Sequence, residues 1–309
     1  MDTEIPNAGT VPSKPGAQMK IQRAHWNMVS DCNLSCSFCY LWRREGVHIF
    51  STEQAITLID ALAAHVEELV FGGGDPLMRP DIITLVERAR FHGLFVEMHT
   101  NAKMLEQIDY RHLLPLLDRL GLSLDGEIPA VHDMLRAEPG NFESNLRALE
   151  LASALNVPTT VRTLASRRNL GKIAGLAAIL DRYACVEKWS IREFAPLGRG
   201  AKSRRAHELL KEDFQAEVNS IAAFYSAHRR AYTLAVVSEK DMADCYCLIT
   251  EDGVFYGHAA GASDYRRIGA FPQDKIQEIL SRLCYDRSER DRTYCTAHAD
   301  TKRLRASLT

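Results

Sequence analysis

Between residues 25 and 195 the chain alternates six times between a short apolar, β-branched run and a longer helical pattern. The strand-like runs are HWNMVS (25–30), ELVFGG (68–73), LFVEMHT (94–100), RLGLSLDG (119–126), PTTVRTLA (158–165) and KWSIREFA (188–195). Helical patterns lie between them over 52–65, 80–93, 145–156 and 170–183, with Gly93 and Asn156 as stop signals. Parallel strands need a crossover, and a helix is the usual one. Six such units fall short of the eight that close a barrel. The sequence therefore predicts an α/β fold, an open partial (β/α)6 TIM-like barrel, with ligands at the carboxyl ends of its strands.

Residues 1–20 read as a flexible arm and 21–203 as the barrel core. Beyond them the pattern changes. A helix is expected over 210–230, a strand over 232–238, a hairpin over 247–258 turning at Asp252-Gly253, and a helix near 273–284. Residues 204–309 thus read as a small α+β lid or extension.

No apolar run reaches the roughly 20 residues that span a bilayer. The opening segment MDTEIPNAGTVPSKPGAQ has no apolar signal region. These features predict a cytoplasmic protein without a membrane partner. A net charge of −2 gives no argument for nucleic acid. Eight cysteines in such a chain suit metal or redox chemistry better than disulfides.

Three of the cysteines fall together in SDCNLSCSFCYLW, as Cys32, Cys36 and Cys39. This C-x3-C-x2-C spacing sits on a loop after the first strand. A zinc site needs four ligands, usually in two separated pairs. Three thiolates instead suit a four-iron cluster with one iron left open to a small molecule. A zinc knuckle with a distant fourth ligand, or simply buried thiols, are the alternatives.

CNLSCSFCY resembles the cluster motif of the radical S-adenosylmethionine (SAM) superfamily, including Phe38 before the last cysteine. Four further segments resemble that family in order: FGGGDPLMRPDI (71–82), HTNAKML (99–105), LSLDGEIPAVHDMLRAEPGNFE (122–143) and EFAPLGRGA (193–201). Asp75 stands where the family usually has Glu, and Ala102 where it has Gly. The resemblance spans roughly residues 24 to 201. It implies a [4Fe-4S] cluster on Cys32, Cys36 and Cys39, whose open iron holds the amino and carboxylate groups of SAM. It also implies an external one-electron reductant such as flavodoxin or ferredoxin. Reductive cleavage of SAM then gives a 5′-deoxyadenosyl radical that takes a substrate hydrogen atom. Gly73 and Gly74 let the backbone approach the methionine end. Asp75 holds that loop or accepts from the ammonium. Arg136 is a candidate carboxylate partner, with Ser123 at the same strand end. Asn101 is expected near the ribose, and Phe38 near adenine.

Cys185, Cys245, Cys247, Cys284 and Cys295 remain. Relatives in the SPASM and twitch subgroups carry auxiliary clusters in this region. His258 replaces one expected cysteine and Cys295-Thr-Ala-His298 another pair, so the full SPASM set is absent. A single second cluster on Cys185, Cys245, Cys284 and Cys295 is the expectation, against the view that these thiols are merely buried. The segment RRAHELLKED (204–213) is expected to be a solvated helix face.

Three outcomes can follow hydrogen abstraction: loss of an electron, quenching by a thiol on the opposite face, or attack on another group. Cys247 is the expected hydrogen donor, which favours an epimerase. Only 31 residues precede the first cysteine, which points to a small substrate. Glu239, Asp241, Asp244, Glu251 and Asp252 suggest a polycation such as an aminoglycoside. A sugar-alcohol dehydrogenase, a peptide-modifying enzyme and a catalytically silent iron–sulfur regulator are the alternatives.

Overall fold

The structure is a computed structural model that describes residues 21–41, 46–238, 247–257 and 265–283. One ten-stranded sheet organises it. The strands are β1 (Ile21–Asn27), β2 (Val66–Gly72), β3 (Phe95–His99), β4 (Arg119–Ser123), β5 (Thr159–Ala165), β6 (Val186–Glu193), β7 (Thr233–Val237), β8 (Cys247–Ile249), β9 (Val254–Gly257) and β10 (Arg266–Ala270). Their order is β10-β9-β8-β1-β2-β3-β4-β5-β6-β7. From β8 through β7 every pairing is parallel, and only β8–β9 and β9–β10 are antiparallel. The six expected strands and their right order are therefore present in a mostly parallel sheet, as an α/β partial barrel requires.

The segment after residue 203 adds strands to both edges of that sheet. β7 lies along β6, and β8 lies along β1 with Ala24 opposite Cys247. The expected hairpin is β8–β9. Gly253 at φ +75° makes its turn, and Thr250 Oγ1 donates to Asp252 Oδ1 at 2.6 Å.

Neighbouring strands stand 4.7–4.9 Å apart, so β1 and β3 would be roughly 9–10 Å apart in a flat sheet. Yet the rings of His25 on β1 and His99 on β3 approach to 5.0 Å between centroids. The sheet is curved, and these residues point into its concave side.

Alternate residues point outward. Trp26, Phe71, Met98, Leu122 and Trp189 have no measurable exposure and pack beneath the helices. The helix Thr52–Ala63 shows how the cover is built. Ser51 and Gln54 form a capping box at its start, and Leu58, Ile59 and Leu62 bury one stripe. Gly93 and Asn156 end their helices at φ +71° and +54°. The expected helix over 170–183 is reduced to Leu176–Leu180. Gly171 sits at φ +72°, and the Gly175 N–H donates to Glu127 Oε2 at 3.0 Å, so the first part is a turn around that carboxylate. The first strand starts earlier than its apolar run suggests, because Ile21 and Arg23 extend the in–out alternation. Residues 28–30 then form the approach to the cysteine loop.

Candidate active site

The carboxyl ends of β1 to β6 surround a cavity of about 320 Å³. Cys32, Cys36 and Cys39 all line it, and so do Gly73 and Gly74 from the loop after β2. The glycines are required there. A Cβ on Gly74 would collide with the Asp31 carbonyl, and one on Gly73 with the Val29 carbonyl. Two backbone bonds lock this crossing, Gly74 N–H to Val29 O at 2.6 Å and Asp75 N–H to Asp31 O at 2.9 Å. The glycine loop thus fixes the start of the cysteine loop. Its far end is fixed by Gly200, whose N–H donates to Cys39 O at 2.9 Å.

Burial pushes all three thiols above the usual cysteine range, and each feels a neighbouring thiol in the same direction. Cluster binding must therefore displace thiol protons, which makes it pH-dependent. Among the described residues no three Cys, His, Asp or Glu side chains converge on one point as ligands of a single ion would. A four-iron cluster spreads three thiolates over three irons, so its ligands stand further apart than those of one zinc. Three thiols on one cavity wall beside a glycine backbone fit that group.

The other expected residues divide. Phe38, Asn101, Ser123 and Arg136 line the same cavity. Arg136 reaches it with its ring-facing side over Phe38 at 5.0 Å, while its Nε donates to the buried Asp125 at 2.6 Å. Asn101 sits by the cysteine loop, donating to Asn33 Oδ1 at 2.7 Å with Cys32 Sγ 3.6 Å away. Of the two roles expected for Asp75, holding the loop or accepting from the ammonium, the second is corrected. Asp75 does not line the cavity, and its carboxylate accepts from Leu77 N, Asn101 N and Thr100 Oγ1 at 2.8–3.1 Å. Burial raises it to about 6 despite those bonds.

Cys247 is also corrected. Its neighbour Leu248 lines the cavity, and alternation sends the Cys247 thiol into the apolar core with no exposure. Burial there raises it to about 12. Cys185 is a packed thiol that donates to Leu149 O at 3.5 Å just before β6, and strands β1 to β5 stand between it and Cys247 in the sheet. It shares no site with the other described thiols. Cys245, Cys284, Cys295 and His258 lie outside the described residues, as do Glu239, Asp241 and Asp244 of the expected acidic surround. Glu251 is buried.

Several residues of the site were not anticipated. His207, placed on an expected solvated face, is fully buried. Its ring nitrogens meet Ser37 Oγ at 2.8 Å and Ser166 Oγ at 3.0 Å, and its ring packs on Phe194 and Phe38. It ties the cysteine loop to the end of β5. Asn141 and Asn145 both donate to Asn101 O, at 2.9 and 3.1 Å, while His132 Nδ1 accepts from Asp125 N at 3.0 Å. These side chains explain why the segment after β4 is so rich in buried polar residues. The concave face holds a third group: Arg23, His25, Glu97, His99 and Arg162. Arg23 reaches Glu68 and Glu97 at 2.5 and 2.9 Å, and Arg162 and His99 bind the other Glu97 oxygen. Their signal was in the sequence. Arg23, His25 and Asn27 recur every second residue along β1, as do Glu97 and His99 along β3, and Lys188 and Arg192 share that parity four residues apart on β6.

Comparison with known proteins agrees with this site. The model of the Radical SAM superfamily matches residues 26–171. An AdoMet-dependent heme synthase of Nitratidesulfovibrio vulgaris is 29% identical over 184 residues, covering 57% of this chain and 49% of that protein. The mycofactocin maturase MftC of Mycobacterium ulcerans is 33% identical over 181 residues, covering 57% of this chain and 48% of its own length. The chain thus spans about half the length of the curated relatives it matches. Streptococcus suis SuiB bound to S-adenosylmethionine superposes with a TM-score of 0.65 at 13% identity, covering 89% of this chain and 67% of SuiB. That likeness shows the fold, and the fold, the three-thiol loop and the match of residues 26–171 to the Radical SAM superfamily model point the same way.

Proposed function

We propose that the protein is a radical SAM enzyme that removes a hydrogen atom from a substrate held in the barrel lumen. The observation that carries this reading is the meeting of Cys32, Cys36 and Cys39 with the Gly73–Gly74 backbone on one cavity at the strand ends. When bound, a [4Fe-4S] cluster with SAM supplies a 5′-deoxyadenosyl radical. The three thiols would hold the cluster. The Gly73–Gly74 backbone leaves room for the methionine end, and Arg136 and Ser123 offer donors to its carboxylate. Phe38 and the loop after β6 enclose the other end and exclude water. An external one-electron reductant is part of this reading.

The outcome after abstraction is sharpened by Cys247. Epimerisation needs a hydrogen donor across the substrate from the abstracting group. Among the described residues the cavity-lining thiols are the three reserved for the cluster. We therefore favour an outcome without thiol quenching, either oxidation of the substrate or bond formation within it. The mycofactocin maturase and heme synthase names of relatives are compatible with that choice, and so is a peptide substrate. An aminoglycoside fits poorly, because guanidiniums project into the lumen where a polycation would sit.

The test is anaerobic incubation of the reconstituted protein with SAM and a reductant. 5′-Deoxyadenosine should form, and the Cys32→Ala/Cys36→Ala/Cys39→Ala variant should form none. A reconstituted wild type that binds SAM yet never cleaves it would return the protein to the silent regulatory class. With a substrate in hand, solvent deuterium at an inverted carbon would restore epimerisation.

A further inference from the structure

Resting on the radical SAM reading, we infer that the substrate carries a carboxylate, received at the lumen floor by His25 and Arg162. His25 lies two residues before the end of β1, about 7 Å below the strand mouth. It is 8% exposed, lines the cavity, and its Nε2 has no hydrogen-bond partner. That nitrogen lies over Gly72, where any Cβ would collide with it. Gly121 performs the same service for Arg162 and His99. Two strands therefore give up side chains so that basic groups can turn inward. A buried imidazole without a partner costs free energy unless a ligand completes it.

The placement of the cations points to an anion. In the floor, Arg23, Arg119 and Arg162 face Glu68 and Glu97, and Glu193 lines the cavity from β6. Lys188 and Arg192 stand beside them on β6. Burial and the surrounding guanidiniums lower Lys188 to about 8, and burial, then His99, then the Arg162 and Arg23 guanidiniums hold His25 well below the ordinary histidine range. Neutral imidazole can still donate, and its Nε2–H tautomer beside the Arg162 guanidinium matches one planar, singly charged group. Glu97 already shows this preference from within the fold, as a carboxylate held by Arg23, His99 and Arg162. Above the floor the wall is apolar, through Leu34, Leu164, Leu197 and Leu248. An apolar body bearing a carboxylate matches both halves.

The probe is 3-phenylpropionate, titrated calorimetrically into the reconstituted protein with SAM bound. 3-Phenylpropionamide, 3-phenylpropylamine and phenethyl phosphate are run beside it. The carboxylate should bind about tenfold or more tightly than the amide, and the amine should not bind, because a hydrogen bond to a charged group is worth about 1.5–3 kcal/mol. His25→Ala should lose about tenfold in carboxylate affinity and His25→Gln should recover part of it, with both variants unchanged in melting temperature. Arg162→Gln should lose more, and is read only if its melting temperature shows a folded protein. Equal binding of acid and amide, tenfold tighter binding of the phosphate, or a His25→Ala variant that binds the acid as the wild type does would overturn the proposal. SAM cleavage is measured on the same preparation. Carboxylate binding without cleavage would count against the radical SAM reading alone, and cleavage without carboxylate binding against this inference alone.

Discussion

The two faces of the same strands follow opposite rules. On the convex face Ala24 and Trp26 of β1, Leu69 and Phe71 of β2, and Val96 and Met98 of β3 are apolar and buried. On the concave face the alternate residues include Arg23, His25, Glu68, Glu97 and His99, with Val70 an apolar exception on β2. Because side chains alternate strictly, one strand serves both purposes without compromise. The convex face is stabilised by area removed from water, which tolerates any residue of suitable volume. The concave face is held by charge pairs, in which each member depends on the others. Substitution on the first should cost stability alone, and substitution of a charge-paired residue on the second should cost stability together with ligand affinity.

The largest effect is expected at Glu97, which is 1% exposed and binds Arg23, His99 and Arg162. Burial opposes its charge, but the two arginines hold its carboxyl well below the usual range. Glu97→Gln leaves buried guanidiniums uncompensated and should cost about 3–5 kcal/mol in urea unfolding. A loss below about 1 kcal/mol would mean that the concave face is not held by these pairs.

Acid should act next, at about 2 kcal/mol. Burial, with Arg162 beside it, lowers His99 to about 3 from an unfolded value of 6.5. Between those values the unfolded chain takes up a proton that the folded chain refuses, so stability falls as pH drops through the window. At pH 5 this one histidine should cost about 2 kcal/mol relative to pH 7. Asp75 works in the opposite sense. Its folded value of about 6 lies above the unfolded 3.8, so its contribution grows as pH falls through 6. The readout is therefore the difference between wild type and His99→Gln, whose pH slope should be flatter. Parallel slopes would place the acid sensitivity elsewhere.

How far the sequence reached follows the same division. The barrel was legible because the convex face repeats a simple signal: β2 to β6 lie where apolar runs were read, and β1 overlaps its run at residues 25–27. The cysteine loop and its glycine partner were legible because backbone crossing and thiol ligation demand particular residue types at short spacing. Cys247 was misplaced by a single residue of strand phase, since its register against Ala24 is set by a long-range pairing that local sequence does not encode. His207 was lost for a related reason. Its short helix Arg204–His207 keeps Arg204 and Arg205 exposed, and a charged run conceals the one side chain that turns inward.

His207 provides a third test, at the junction of the two faces. It bridges Ser37 of the cysteine loop and Ser166 beyond β5. His207→Ala should cost about 1–3 kcal/mol, since the buried Ser166 and half-buried Ser37 hydroxyls lose their shared partner. It should also weaken SAM binding, because the loop carrying Cys36 and Cys39 is released on one side. A stability loss with unchanged SAM affinity would make it a packing residue only.

The smallest effect is the one that calibrates the others. Ile191 on β6 is fully buried on the convex face, next in sequence to Arg192, which lines the cavity. Ile191→Val removes one methylene from a packed core and should cost about 0.5–1.5 kcal/mol. It alters no charge and no cavity-lining group, so SAM affinity and the carboxylate preference should stay at wild-type values. Arg192→Gln, one residue away, should do the reverse, leaving the core intact while weakening carboxylate binding through the loss of positive field at the rim. If Ile191→Val shifted ligand affinity as strongly as Arg192→Gln, the two faces would be mechanically coupled through the strand. Concave-face variants would then have to be interpreted through their stability loss before any role in binding was assigned to them.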